Sequence, residues 1–185
     1  MKPLAALLLC AAAIAAPTAL AGGWLALDLP ARLAATRDAF VARVRASDVE
    51  VRGGEPWTVV TLEVERWLRR DGRPAADGDP AEVRIAIWGG RAPGAAPLLV
   101  AGAPSFVPGE RVLLLLRSGD AGLAVPIVGV DQGVWRERDG VWSGDDGGVL
   151  GLGVGGRAAL GGDPVGDEVL FDALAEALDE AGGPR

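Results

Sequence analysis

Glu63 and Glu65 alternate along one side of an extended stretch, Trp57 to Leu68. Paired carboxylates on one surface are the residue type that glycoside hydrolysis uses. The same spacing also describes the solvated face of an ordinary strand, and that reading already accounts for both residues. Asp71, Asp77 and Asp79 fall in one loop rich in Gly and Pro. Oxygen ligands of this kind can hold calcium, but the EF-hand ligand order is missing and Asp beside Gly and Pro is common turn chemistry. Asp145 and Asp146 form a weaker pair of the same sort. Among six tryptophans, Trp57, Trp67 and Trp88 fall on the sides of their strands opposite the apolar positions. Exposed together, these three are a candidate partner surface. The competing and favoured reading packs these three beneath the terminal helices, where Leu170, Leu174 and Leu178 need an apolar counterpart.

Composition removes most other chemistry. His, Tyr and Asn are absent, while Lys2, Cys10 and Met1 are each the sole residue of their type. A Ser-His-Asp triad has no base, a Cys-His pair has no His, and a Ser-Lys dyad has only Lys2 to draw on. Zinc and iron sites of the usual kind need His or Cys, so no metal or cofactor is expected. Gly151-Leu-Gly-Val-Gly-Gly156 only loosely echoes a dinucleotide loop and lacks its strand–helix context.

The first residues follow the export pattern. Lys2 supplies a positive start, Leu4 to Ala16 an apolar run, and Ala19-Leu20-Ala21 a small-x-small site, with cleavage expected before Gly22. The apolar run falls short of the ~20 residues of a spanning helix, so no stable membrane insertion is expected after cleavage. Cys10 follows three leucines rather than a small residue, which argues against lipid attachment. Beyond this leader stand 17 arginines against 25 acidic residues, a net of −8. Nucleic acid is therefore not an expected partner, because neutralising phosphates takes a basic face. With no cysteine past residue 21, stability has to come from packing.

The elements that must position these residues read as mostly strands. Asp28 is the expected N-cap of a short helix with Pro30 in its first turn and Leu29 and Leu33 on one face. From Ala39 the period becomes two, giving a strand that ends at the Gly53-Gly54-Glu55-Pro56 turn. Trp57 to Leu68 follows as a long strand, with Thr58, Val60, Leu62, Val64 and Leu68 on its apolar side. Glu82 to Trp88 is the next, and Pro97 to Val100 a short further candidate. Arg111 to Arg117 holds five consecutive apolar residues, which implies a strand covered on both faces. Leu123 to Val130 reads as another strand, with Pro126 marking an edge or bulge. Asp139-Gly140 signals a hairpin between Trp135–Arg138 and Val141–Ser143. Residues 144–166 read as a Gly-rich linker or edge, and 167–181 as an amphipathic helix packed on the outside.

Several stretches together carry a resemblance. They are Trp57-Thr-Val-Val-Thr-Leu-Glu-Val-Glu65, Ile87-Trp-Gly-Gly90, Pro104-Ser-Phe-Val-Pro-Gly-Glu110 with its aliphatic run, and Val128-Gly-Val-Asp-Gln-Gly133. Over roughly residues 27 to 135 the chain resembles exported bacterial small β-barrel proteins. Their barrel is similar to the OB-fold of netrin-like modules and tissue inhibitors of metalloproteases. The resemblance implies a barrel and, by analogy, a protease-inhibitor-like role. Those inhibitors depend on cysteines, which this chain lacks past the leader, so no inhibitory residue carries over.

The expectation is a mainly β, small closed or partly open OB-like barrel of 5–7 strands over residues 22–143, with a short N-terminal helix and a C-terminal helix outside. The expected function is non-enzymatic: an exported or periplasmic module binding a protein or cell-envelope partner. A carboxylate-dependent hydrolase of envelope polysaccharide is the alternative.

Overall fold

The computed structural model describes residues 25–117 and 123–182; the leader read over residues 1–21 lies outside them. Asp28 does cap the first helix, α1 (Leu29–Ala34): its carboxylate accepts the Ala31 N–H at 2.8 Å. Pro30 sits in the first turn, where its missing N–H costs nothing. Leu29 and Leu33 are buried, as their spacing requires.

Nine strands follow: β1 (Asp38–Arg52), β2 (Glu55–Arg70), β3 (Arg73–Pro74), β4 (Glu82–Trp88), β5 (Arg111–Leu116), β6 (Val134–Arg138), β7 (Val141–Gly144), β8 (Val149–Leu152) and β9 (Ala158–Leu160). All belong to one antiparallel sheet, with β4 and β3 on one side of β2 and the order β2-β1-β5-β6-β7-β8-β9 on the other. The sheet does not close, so the expected barrel of 5–7 strands gives way to nine strands in one open sheet. A helix, α2 (Asp167–Gly182), ends the described chain.

Apolar residues on both faces of the sheet decide how it is covered. One face carries Val41, Leu113, Leu115, Trp135, Trp142 and Leu150 against α1 and the Leu170–Phe171–Leu174–Leu178 stripe of α2. The other face gathers Phe40, Val60, Leu62, Ile85, Ile87, Leu114 and Ile127. β5 contributes to both, which is what its unbroken apolar run called for. The tryptophans beneath the helices are Trp135 and Trp142, the latter edge-on to Phe171 at 5.6 Å, and not Trp57, Trp67 or Trp88, for which that place was expected.

The β1–β2 ribbon departs from simple alternation. Val41 pairs with Arg66 but Ala42 with Val64, leaving Glu65 as an extra residue, and further register shifts fall at Ala39/Phe40 and Val44/Ala46. Each such bulge reverses the phase of the side chains and increases the local twist. Trp67 therefore joins Val64 on the inner face, 4.8 Å from the Phe40 ring, while Leu68 passes to the helix-covered face. Strict alternation had placed both the other way.

Three further expectations change. Leu123 to Val130 forms no strand; Ile127 makes one isolated bridge to Leu116, and turns take the rest. Pro97 to Val100 likewise contributes only the Leu98–Gly90 bridge. The glycines of residues 144–166 serve the edge itself, which contains β8 and β9. A Cβ on Gly151 would stand 2.3 Å from the Asp163 carbonyl oxygen. Gly151→Ala is expected to cost about 1–3 kcal/mol through overpacking. Faster amide exchange at Leu152 and Asp163, which bond each other's carbonyls at 2.9 Å, would report it.

The Asp139-Gly140 hairpin forms as read, with φ of 53° and 78° at its two central residues. That is the pair of positive values a tight I′ turn requires.

Candidate functional site

Among the described residues β4 pairs with β2 alone, through Thr58↔Ile87 to Glu63↔Glu82. Its outer edge makes one backbone bond among the described residues, from the Trp88 N–H to the Ala124 carbonyl at 2.7 Å. Strand periodicity then aims the N–H and C=O groups of Glu82, Arg84 and Ala86 outward too. Beside this edge lies a groove of about 640 Å³. Its lining comes from β4 (Val83, Arg84, Ile85, Ala86), from Leu116, Arg117, Leu123 and Pro126, and from β1 and β2 at Asp38, Arg52, Glu55 and Trp57.

The groove is mainly apolar, with three arginines and two carboxylates among its polar groups. Asp38 accepts the Asp71 N–H at 2.7 Å and Glu55 the Trp88 indole N–H at 3.0 Å. Arg52 and Arg84 share Glu50, at 2.9 and 3.2 Å. The Arg117 side chain has no ion-pair partner among the described residues, and its buried Nε has no hydrogen-bond partner. Sequence reasoning missed this residue as a site: it appeared only as the charge that ended an aliphatic run.

The three candidate tryptophans are not brought onto one surface. Trp57 lines the groove, and Trp88 donates its indole N–H to Glu55 at 3.0 Å at the same end of the sheet. Trp67 lies about 33 Å further along β2 by strand rise. It points inward, donating to the Pro80 carbonyl at 2.8 Å with the Arg70 guanidinium over its ring. Its place along the strand separates it from the others, and the half-turn introduced by the bulge at Glu65 sets it on the inner face.

The carboxylates are engaged by arginines. Glu63 meets Arg45 at 2.6 Å, and Glu65 meets Arg43 at 3.1 Å and Arg111 at 2.5 Å. Arg111 reaches on to Asp167, lies over the Trp142 ring, and thereby joins β2, β5, β7 and the start of α2. Partial burial works against the Arg111 cation, but Glu65 and Asp167 outweigh it and raise its pKa above the ordinary value. Asp71 is held by Arg37 at 2.9 Å, and Asp79 by the Ala76 N–H and by Arg70 and Arg73. Among the described residues, no three acidic side chains gather where a metal ion could sit. Asp145 pairs with Arg136, and Asp146 with Arg32.

Two of these pairs make stability depend on pH. Burial disfavours the charged forms of Asp167 and Asp146. The Trp142 N–H and Arg111 at Asp167, and the Gly148 N–H and Arg32 at Asp146, nevertheless hold both carboxyls below the ordinary 3.8. A depressed folded-state pKa stabilises fully above the unfolded value and is lost as pH falls through the folded one. Urea midpoints are therefore expected to be level above about pH 5 and to fall below pH 4. In the Asp146→Asn, Asp167→Asn double variant that acid fall should be smaller.

Comparison with protein-family models, with curated proteins and with solved structures finds no match for this chain. The groove and its neighbours therefore have to be interpreted from their own chemistry.

Proposed function

We propose that this chain is a non-enzymatic binding module, exported to the periplasm or cell exterior, that engages a protein or cell-envelope partner in the groove beside β4. The observation that carries the reading is a strand edge left open among the described residues, next to a mainly apolar groove of about 640 Å³. Sites of this size, largely apolar with a few polar groups, are where ligands and partners bind. In this reading the β4–β2–β1–β5 portion acts as a partly open barrel, with the groove as its seam. Export rests on the Lys2-to-Ala21 pattern, and the resemblance to netrin-like modules over residues 27 to 135 points to the same class of role. Against the hydrolase alternative, Glu63 and Glu65 face arginines and do not line the groove.

The test immobilises the purified protein and exposes it to a solubilised envelope fraction. A retained component should be lost with Leu123→Arg, which adds charge at an exposed groove residue and leaves the core untouched. Hydrolysis of envelope glycan by the protein, abolished by Glu63→Gln or Glu65→Gln, would overturn the reading.

A further inference from the structure

The groove and the strand edge beside it are chemically distinct features that a single extended guest would satisfy together. On the edge, Glu82, Arg84 and Ala86 direct backbone donors and acceptors away from β2, and the Trp88–Ala124 bond closes one end of the row. From Glu82 to Ala86 the row spans about 13 Å of strand. In the groove, Val83, Ile85, Leu123 and Pro126 supply apolar walls, while the lining carboxylates Asp38 and Glu55 are engaged by the N–H groups of Asp71 and Trp88. Arg117 adds a guanidinium with no acidic partner among the described residues, unlike Arg84 and Arg52, which share Glu50. We infer that the groove takes an extended segment of a partner protein as an added strand on β4, with an aspartate or glutamate side chain of that segment held by Arg117. This deepens the partner-binding reading and rests on it.

Each part of the guest answers one feature. Its backbone completes the unpaired ladder, which gives affinity without regard to sequence. Its alternate apolar side chains enter the groove, and a carboxylate pairs with Arg117 in the geometry that guanidinium recognises best. Nucleic acid and anionic membranes are disfavoured by the chain's net charge of −7. A second copy is disfavoured as well: pairing two β4 strands about their middle outward residue sets Arg84 against Arg84, a like-charge cross-strand pair.

The probe is an array of capped seven-residue peptides alternating valine with threonine, with one glutamate moved through the positions and a matched glutamine set. Capping removes the terminal carboxylate as a source of charge. In fluorescence anisotropy the purified protein is expected to select one glutamate register at least tenfold over its glutamine twin. N-methylation of alternate amides in that peptide should abolish binding, since it blocks the ladder and leaves the side chains in place. Arg117→Gln should erase the preference for glutamate while both peptides still bind weakly. Ala86→Pro, which removes an outward-facing N–H at an edge position, should weaken every peptide alike.

Equal binding of the N-methylated peptide would overturn strand addition. So would the absence of any binding peptide, or binding of anionic vesicles or glycan with no peptide bound. A glutamate preference surviving Arg117→Gln would overturn the assignment of that residue. An envelope component retained by the wild type and lost with Leu123→Arg, in a protein that binds no peptide, would sink the strand inference and leave the partner-binding reading standing. Loss of both would end both.

Discussion

Leu113→Ala and Leu114→Ala are each expected to lower the unfolding free energy by about 3 kcal/mol, the range found for burying and then deleting a leucine side chain. Adjacent residues in a two-faced strand usually differ, with one core and one solvated. Here both are fully buried: Leu113 packs beneath the helices with Trp135, and Leu114 on the opposite face with Phe40 and Ile127. Because the two cavities would open in separate clusters, the effects should add to within about 0.5 kcal/mol. The double variant would then lose about 6 kcal/mol, enough to unfold a domain of ordinary stability. Urea denaturation of the two single variants tests the argument. A cost below about 1 kcal/mol at either position would mean that its face is not core.

Arg32→Met carries the second large effect. Arg32 is 3% exposed and uses its whole guanidinium. Nε donates to the Leu27 carbonyl at 2.8 Å, Nη1 to the Gln132 carbonyl at 2.7 Å and Nη2 to Asp146 at 3.1 Å, with the Trp135 ring 5.5 Å away. Methionine keeps much of the stem volume but orphans two carbonyls and one carboxylate. About 2–4 kcal/mol should be lost. Asp146→Asn should cost only about 1 kcal/mol, because the Asp146 side chain is 43% exposed and can turn to water. Arg32→Lys should recover little, since a lysine cannot reproduce the planar fork that serves three acceptors at once. Chemical denaturation with an unchanged m-value would confirm that the loss lies in the folded state.

The same use of arginine recurs at α2, which has no basic residue in its last turn. Arg69 from β2 reaches the Leu178 carbonyl there, supplying the positive group that the helix C-terminus favours. At the other end Asp167 and Glu168 occupy the first turn, and Arg111 and Arg66 meet them. A chain with no histidine, and no lysine or cysteine after residue 10, thus fastens its helices to the sheet through arginine and carboxylate.

Local signals made much of this fold readable. The Asp28 cap, the β4 boundaries, the Asp139-Gly140 turn and the four-residue leucine spacing of α2 depend on residues a few positions apart. The five-residue apolar run correctly implied a strand covered twice, because no half-solvated strand tolerates it. The faces of Trp67 and Leu68 were not readable. They depend on which residue of β2 lacks a partner on β1, and pairing alone decides that.

The candidate site shows the same division. Sequence by itself determined the residue types available: no His or Tyr, a single Lys2 and Cys10, an acidic balance and a mainly strand-forming pattern. It also marked Trp57, whose ring lines the groove, and Pro126, whose presence argued against a central strand. Only the tertiary structure decided that Glu63 and Glu65 face arginines and that, among the described residues, β4 keeps an open edge and Arg117 has no ion-pair partner. The physical reason is that pairing is a long-range property. An edge exists only where no other strand arrives, and a charge stands free only where no distant carboxylate has reached it. Neither condition is written in the neighbouring residues.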